Sequence, residues 1–129
     1  MKRQQSIVGA GAMIVEDEID LSYLLSIVLK RNNLKPSCVH SITEASARIK
    51  SIKPSLVFLD NRLPDGYGSD FIPTVKRINP SAAIVMITAC DSQRDVDIAL
   101  NLGADYFITK PFTAQKIAAT IQAIESNRA

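Results

Sequence analysis

Two kinds of segment alternate along the chain. Short apolar runs stand at Ala12–Val15, Cys38–Val39, Leu56–Leu59, Ala82–Ile87 and Tyr106–Ile108. Their lengths suit strands covered on both faces, which read as continuous hydrophobic stretches. Between them, apolar residues recur at helical spacing. Leu21, Leu24, Leu25, Val28 and Leu29 fall on one helical face. Ala45, Ile49 and Ile52 repeat the pattern, as do Phe71, Val75 and Ile78, then Val96, Ala99 and Leu100, and finally Ile117, Ile121 and Ile124.

Helix-stop and helix-start residues agree with this division. Ser41–Ile42–Thr43–Glu44 and Ser92–Gln93–Arg94–Asp95 fit the spacing of an N-terminal capping box. Gly103 stands where a helix C-cap glycine belongs. Pro54 and Pro80 precede apolar runs and end the helices before them. Asp65–Gly66 signals a turn between the third strand and the third helix. Residues 1–11, with Gly9–Ala10–Gly11, read as a flexible lead-in, residues 12–126 as one domain and residues 127–129 as a tail. Strictly alternating strands and helices predict a parallel sheet with helices on both faces. Right-handed crossovers and the chain length favour a flavodoxin-like (βα)5 arrangement, with strand order 2-1-3-4-5.

Composition narrows the function classes. The 129 residues carry a formal net charge of only +2, and 47% are hydrophobic against 22% charged, so the chain is an ordinary globule with a core of its own. It lacks the basic runs of a nucleic-acid footprint, and direct nucleic-acid binding is not expected. Its apolar runs are too short to span a bilayer. Cys38 and Cys90 form no metal-ligand or redox motif, consistent with reduced thiols and a cytoplasmic setting.

In a doubly wound sheet, ligands gather outside the carboxyl ends of the strands. The first strand ends in Glu16–Asp17, the second near His40 and Ser41, the third in Asp60, the fourth in Thr88 and the fifth in Lys110–Pro111. Singly, each has an ordinary structural use: acids favour a helix N-terminus, and an aspartate ends a strand well. Together they place three carboxylates, a hydroxyl and an ammonium on one edge. Such carboxylates repel unless a cation intervenes, and a hard, oxygen-loving cation such as Mg2+ fits. With Lys110 as a second positive charge, the edge suits a phosphoryl dianion, and Asp60 could be the nucleophile that takes it.

Met13–Ile14–Val15–Glu16–Asp17–Glu18, Leu56–Val57–Phe58–Leu59–Asp60, Leu63–Pro64–Asp65–Gly66, Ile87–Thr88–Ala89 and Gly103–Ala104–Asp105 through Lys110–Pro111–Phe112 together resemble the receiver domain of bacterial two-component response regulators. The likeness runs from about Ala12 to Ile124. It implies that Asp60 accepts a phosphoryl group from a histidine kinase or histidine phosphotransfer protein. It implies a Mg2+ site built from Glu16, Asp17, Asp60 and the backbone carbonyl of Arg62. Thr88 and Lys110 would each meet a phosphoryl oxygen, the Lys110–Pro111 bond would be cis, and Phe107 would occupy the aromatic switch position. The switch would remodel the face of the fourth helix, fifth strand and fifth helix for an output domain or protein. The resemblance also makes Arg62 and Cys90, each two residues beyond a site residue, influences on phosphoryl loss.

Two other classes fit the residues less well. An aspartate-nucleophile phosphatase of similar fold usually carries Asp-x-Asp, whereas here Arg62 stands at the second position. A flavodoxin-like cofactor binder would need a Ser/Thr/Gly-rich first loop to cradle phosphate, where this chain has Glu16–Asp17–Glu18. The chain is therefore expected to be a phosphoprotein of signal transduction, not an enzyme beyond self-phosphorylation and slow autodephosphorylation, and a monomer or weak dimer without membrane contact. It is either a stand-alone receiver or part of a larger regulator or hybrid kinase. Winged-helix regulators of this family carry an Asp and an Arg where Tyr106 and Thr120 stand, which counts against their symmetric dimer.

Overall fold

Each central strand is apolar on both faces because each face meets a helical layer. The computed structural model describes residues 6–89 and 92–128, so Cys90 and its expected influence on phosphoryl loss lie outside the described residues. Five strands, β1 (Gly11–Val15), β2 (Lys35–Val39), β3 (Leu56–Asp60), β4 (Ala83–Thr88) and β5 (Tyr106–Thr109), form a parallel sheet in the order β2-β1-β3-β4-β5. This is the flavodoxin-like order anticipated from the sequence. The helices are α1 (Ile19–Arg31), α2 (Ile42–Ile52), α3 (Ile72–Ile78), α4 (Gln93–Leu102) and α5 (Ala114–Arg128).

Side chains alternate across the sheet. Ala12 and Ile14, Leu56 and Phe58, Val85 and Ile87, and Ile108 pack with Leu25, Val28 and Leu29 of α1 and Ile117, Ile121 and Ile124 of α5. Met13 and Val15, Val57 and Leu59, and Ile84 and Met86 pack on the other side with Ala45 and Ile49 of α2, Val75 of α3 and Ala99 of α4. The alternation also fixes which face each strand-end residue takes.

Three local readings change. β2 begins at Lys35, three residues before its apolar run. It is an edge strand bonded only to β1, so it needs no continuous hydrophobic stretch, and Pro36 is tolerated there. On α4, Val96 is half-buried and Ala99 buried, but Leu100 is 49% exposed. The stripe facing the sheet runs instead through Val96, Ala99 and Leu102. The described part of the lead-in is packed: Ile7 is only 2% exposed and joins the core against α1 and α5. Its N–H donates to a carboxylate oxygen of Glu125 at 2.9 Å, and the Ser6 hydroxyl donates to the other oxygen. Gly9, in the left-handed region at φ 80°, turns the chain so that its N–H meets the Asn33 carbonyl.

Ile7→Ala is expected to lower the unfolding free energy by about 2–4 kcal/mol in urea denaturation, the cost of emptying a buried isoleucine site. Val8→Ala, at a side chain 62% exposed, should leave it nearly unchanged.

Candidate functional site

Glu16 follows Val15, and Asp60 follows Leu59, so alternation turns both toward the α1/α5 side at the carboxyl edge. Lys110 falls in phase with Ile108 and turns the same way. The ammonium of Lys110 lies 3.0 Å from Glu16 Oε1 and 3.2 Å from Asp60 Oδ2, with Glu18 Oε1 at 3.8 Å. Carboxylate oxygens of Glu16, Asp17 and Asp60 all lie within 4.8 Å of one another. Glu16 is fully buried, Asp60 is 4% exposed, and Asp17 is open to solvent.

The local charge balance is negative. Burial pushes the Glu16 carboxyl up to about 7, against the lowering effect of the Glu18 N–H and of Lys110. Burial also pulls the Lys110 ammonium down, but its ion pair with Glu16 and the charge of Asp60 outweigh this and hold it above the ordinary lysine value. The three grouped acids and Glu18 share one lysine, which leaves room for a further positive charge. Their hard oxygen donors suit a cation of the magnesium or calcium type.

Thr88 and Phe107 fall on the opposite phase, toward α4. With Asn61, Met86, Asp95, Val96 and Ala99 they line a cavity of about 10 Å³, too small to be a comfortable water site. Thr88 is buried, and its carbonyl accepts the Lys110 N–H at 2.8 Å. The Lys110–Pro111 peptide bond is cis. The Arg62 N–H donates to Asp60 Oδ1 at 3.2 Å, and the Arg62 side chain is exposed.

Other residues that hold the site carried little sequence signal. Buried Asn61 organises the loop after Asp60: its carbonyl accepts the Gly68 N–H and its Oδ1 accepts the Ser69 N–H. Gly68 serves close packing, since a Cβ there would stand 2.0 Å from the Asp60 carbonyl oxygen. Arg62–Leu63 and Gly66–Tyr67 pair as a short antiparallel ladder around the Asp65 turn. Asp65 then reaches the start of α2, accepting the N–H groups of Ile42 and Thr43 and the Thr43 hydroxyl. His40 contributes its ring, with Nδ1 2.9 Å from the Glu16 carbonyl oxygen.

Residues 12–122 match the response regulator receiver domain family. The chain belongs to that family. Among similar curated proteins are the phosphate regulon transcriptional regulatory protein PhoB of Klebsiella pneumoniae, 33% identical over 87% of this chain and 50% of that protein. The sensory transduction protein RegX3 of Mycolicibacterium smegmatis is 34% identical over 88% of this chain and 50% of its own length. The receiver thus spans about half the length of these curated relatives. Among solved structures, a two-component response regulator from Clostridium difficile superposes with a TM-score of 0.83 at 25% identity, covering 89% of this chain and 94% of that one. The non-phosphorylated HemR receiver domain of Leptospira biflexa gives 0.83 at 26% identity, covering 91% and 94%. Receiver domains of two-component systems are signalling modules, generally not enzymes, that work with histidine kinases and output domains. No helix among the described residues is long and apolar enough to cross a membrane.

The Thr43 hydroxyl, followed by the Ile42 and Thr43 N–H groups, holds the Asp65 carboxyl down at about 2, below its ordinary 3.8. A depressed acid stabilises the fold above its unfolded pKa and loses that contribution as it protonates. Asp65→Asn should therefore be less stable than the parent at neutral pH. The gap should close as pH falls from about 4 toward 2, followed by urea midpoints across that range.

Proposed function

We propose that this receiver accepts a phosphoryl group on Asp60, from a histidine kinase or histidine phosphotransfer protein, with Mg2+ bound at the acidic edge. The observation that carries the reading is a nearly buried aspartate 3.2 Å from a lysine and grouped with two further carboxylates at a strand end. Asp17, Asp60 and the Arg62 carbonyl would hold the cation, with Glu16 supporting from behind. When bound, Mg2+ supplies positive charge to the phosphoryl oxygens in flight. An Asp60 carboxylate oxygen attacks phosphorus, a new O–P bond forms as the donor's N–P bond breaks, and the imidazole leaves with that electron pair. Lys110 neutralises a phosphoryl oxygen, and the Thr88 hydroxyl donates to another.

Thr88 and Phe107 line one small cavity, so a Thr88 hydroxyl drawn toward the phosphoryl group vacates space that the Phe107 ring can fill. Without a phenolic hydroxyl, that ring enters an apolar cavity with no hydrogen bond to satisfy. The inward rotamer is expected to be populated before phosphorylation and selected by it. The movement would reshape the α4–β5–α5 face for the output partner. On that face, Tyr106 accepts a hydrogen bond from the Asn127 side chain and Thr120 donates to the Lys116 carbonyl, so both side chains are engaged within the domain.

Acetyl phosphate with Mg2+ should add one phosphoryl group to the intact mass and then stop. Asp60→Ala should abolish the gain, and Asp17→Asn should sharply weaken both the gain and the amide shifts caused by Mg2+. Labelling that persists in Asp60→Ala would move the acceptor elsewhere, and many turnovers per chain would favour a phosphatase. For the switch, NMR signals of Thr88 and Phe107 should move together when Mg2+ and beryllofluoride are added, and Thr88→Ala should uncouple them.

A further inference from the structure

Glu18 is the acid of the Glu16–Asp17–Glu18 run that the phosphoacceptor scheme leaves without a role. It sits at the N-cap of α1 but makes no side-chain capping bond. Its backbone N–H donates to Glu16 Oε2 at 3.0 Å, which anchors the residue beside the site. Its carboxylate instead extends toward Lys110, 3.8 Å from the ammonium.

An ammonium has three N–H donors and no acceptor. Lys110 here faces three carboxylates, Glu16 at 3.0 Å, Asp60 at 3.2 Å and Glu18 at 3.8 Å. A phosphoryl oxygen arriving at Asp60 therefore competes with these carboxylates for the ammonium. Glu16 is fully buried and cannot withdraw into water, and Asp60 is the acceptor itself. Glu18 has the longest contact, and its side chain is 61% exposed, so its carboxylate can be rehydrated at little cost. We propose that Glu18 is the exchangeable counter-ion of Lys110: it holds the ammonium in the unphosphorylated state and yields to the phosphoryl oxygen. This rests on Asp60 being the acceptor. Glu18 thereby disfavours the phosphorylated state, both by competing for Lys110 and by its negative charge beside the incoming dianion.

The test is the affinity for beryllofluoride in saturating Mg2+, read from amide shifts around Asp60 in the whole chain. Glu18→Gln should tighten binding about two- to five-fold at low salt, the range of an exposed ion pair, with the gain shrinking in 1 M NaCl. Asp20→Asn removes a charge from the same helix start and should give less than half that gain. In a Lys110→Met background the Glu18→Gln gain should fall to less than half, leaving only the part due to charge repulsion. In the metal-free protein, Glu18→Gln should shift the Lys110 ammonium 15N signal, and Asp20→Asn should not. Unchanged or weakened binding in Glu18→Gln would overturn the proposal, as would an equal gain from Asp20→Asn or in the Lys110→Met background. Failure of the unsubstituted protein to bind the mimic at Asp60 is a different result, which overturns the phosphoacceptor reading and this proposal with it.

Discussion

The structure turns on an excess of negative charge held against a single ammonium at a partly buried sheet edge. Glu16 is fully buried and its carboxyl is pushed up to about 7, so part of the cost of assembling the site stays uncompensated by Lys110. A site short of positive charge favours ligands that bring it. The rest of the architecture maintains that condition. Two helical layers bury the strands that deliver Glu16 and Asp60, and the Asn61–Gly68 packing closes the loop against the acceptor strand.

Strand alternation divides the labour at this edge. Glu16, Asp60 and Lys110 share one phase, while Thr88 and Phe107 share the other. Charge is therefore handled on the α1/α5 side and shape on the α4 side. Thr88 stands at the junction, with its carbonyl bonded to the Lys110 N–H and its side chain lining the cavity beside Phe107. The cavity is small enough that displacement of one wall must be answered by another, because packed interiors do not keep voids open at no cost.

Much of this was legible in the sequence because the site residues stand directly after apolar runs, where a strand must end. Asp60 after Leu56–Leu59 and Glu16–Asp17 after Ala12–Val15 need only the rule that ligands gather at the carboxyl edge. The less visible features depend on contacts between distant parts of the chain. β2 was under-read because an edge strand lacks two buried faces, and Leu100 was misplaced because α4 meets the sheet along a narrow stripe. Gly68 carries the composition of a flexible loop, yet its missing side chain makes room for the Asp60 carbonyl. Asp65 was legible as a turn residue, but its bonds to α2 join positions more than twenty residues apart.

The contact of Ser6 and Ile7 with Glu125 has a kinetic meaning. It joins residues separated by 119 and 118 positions, so forming it early would close nearly the whole chain into one loop. Loop-closure entropy makes such a contact expensive until the intervening sheet has assembled. It is therefore expected to form in the final stage of folding, after the transition state. Interactions of that kind slow unfolding while leaving the folding rate almost untouched. The turn from Ser6 to Ala10 thus acts as a latch on the lifetime of the folded state.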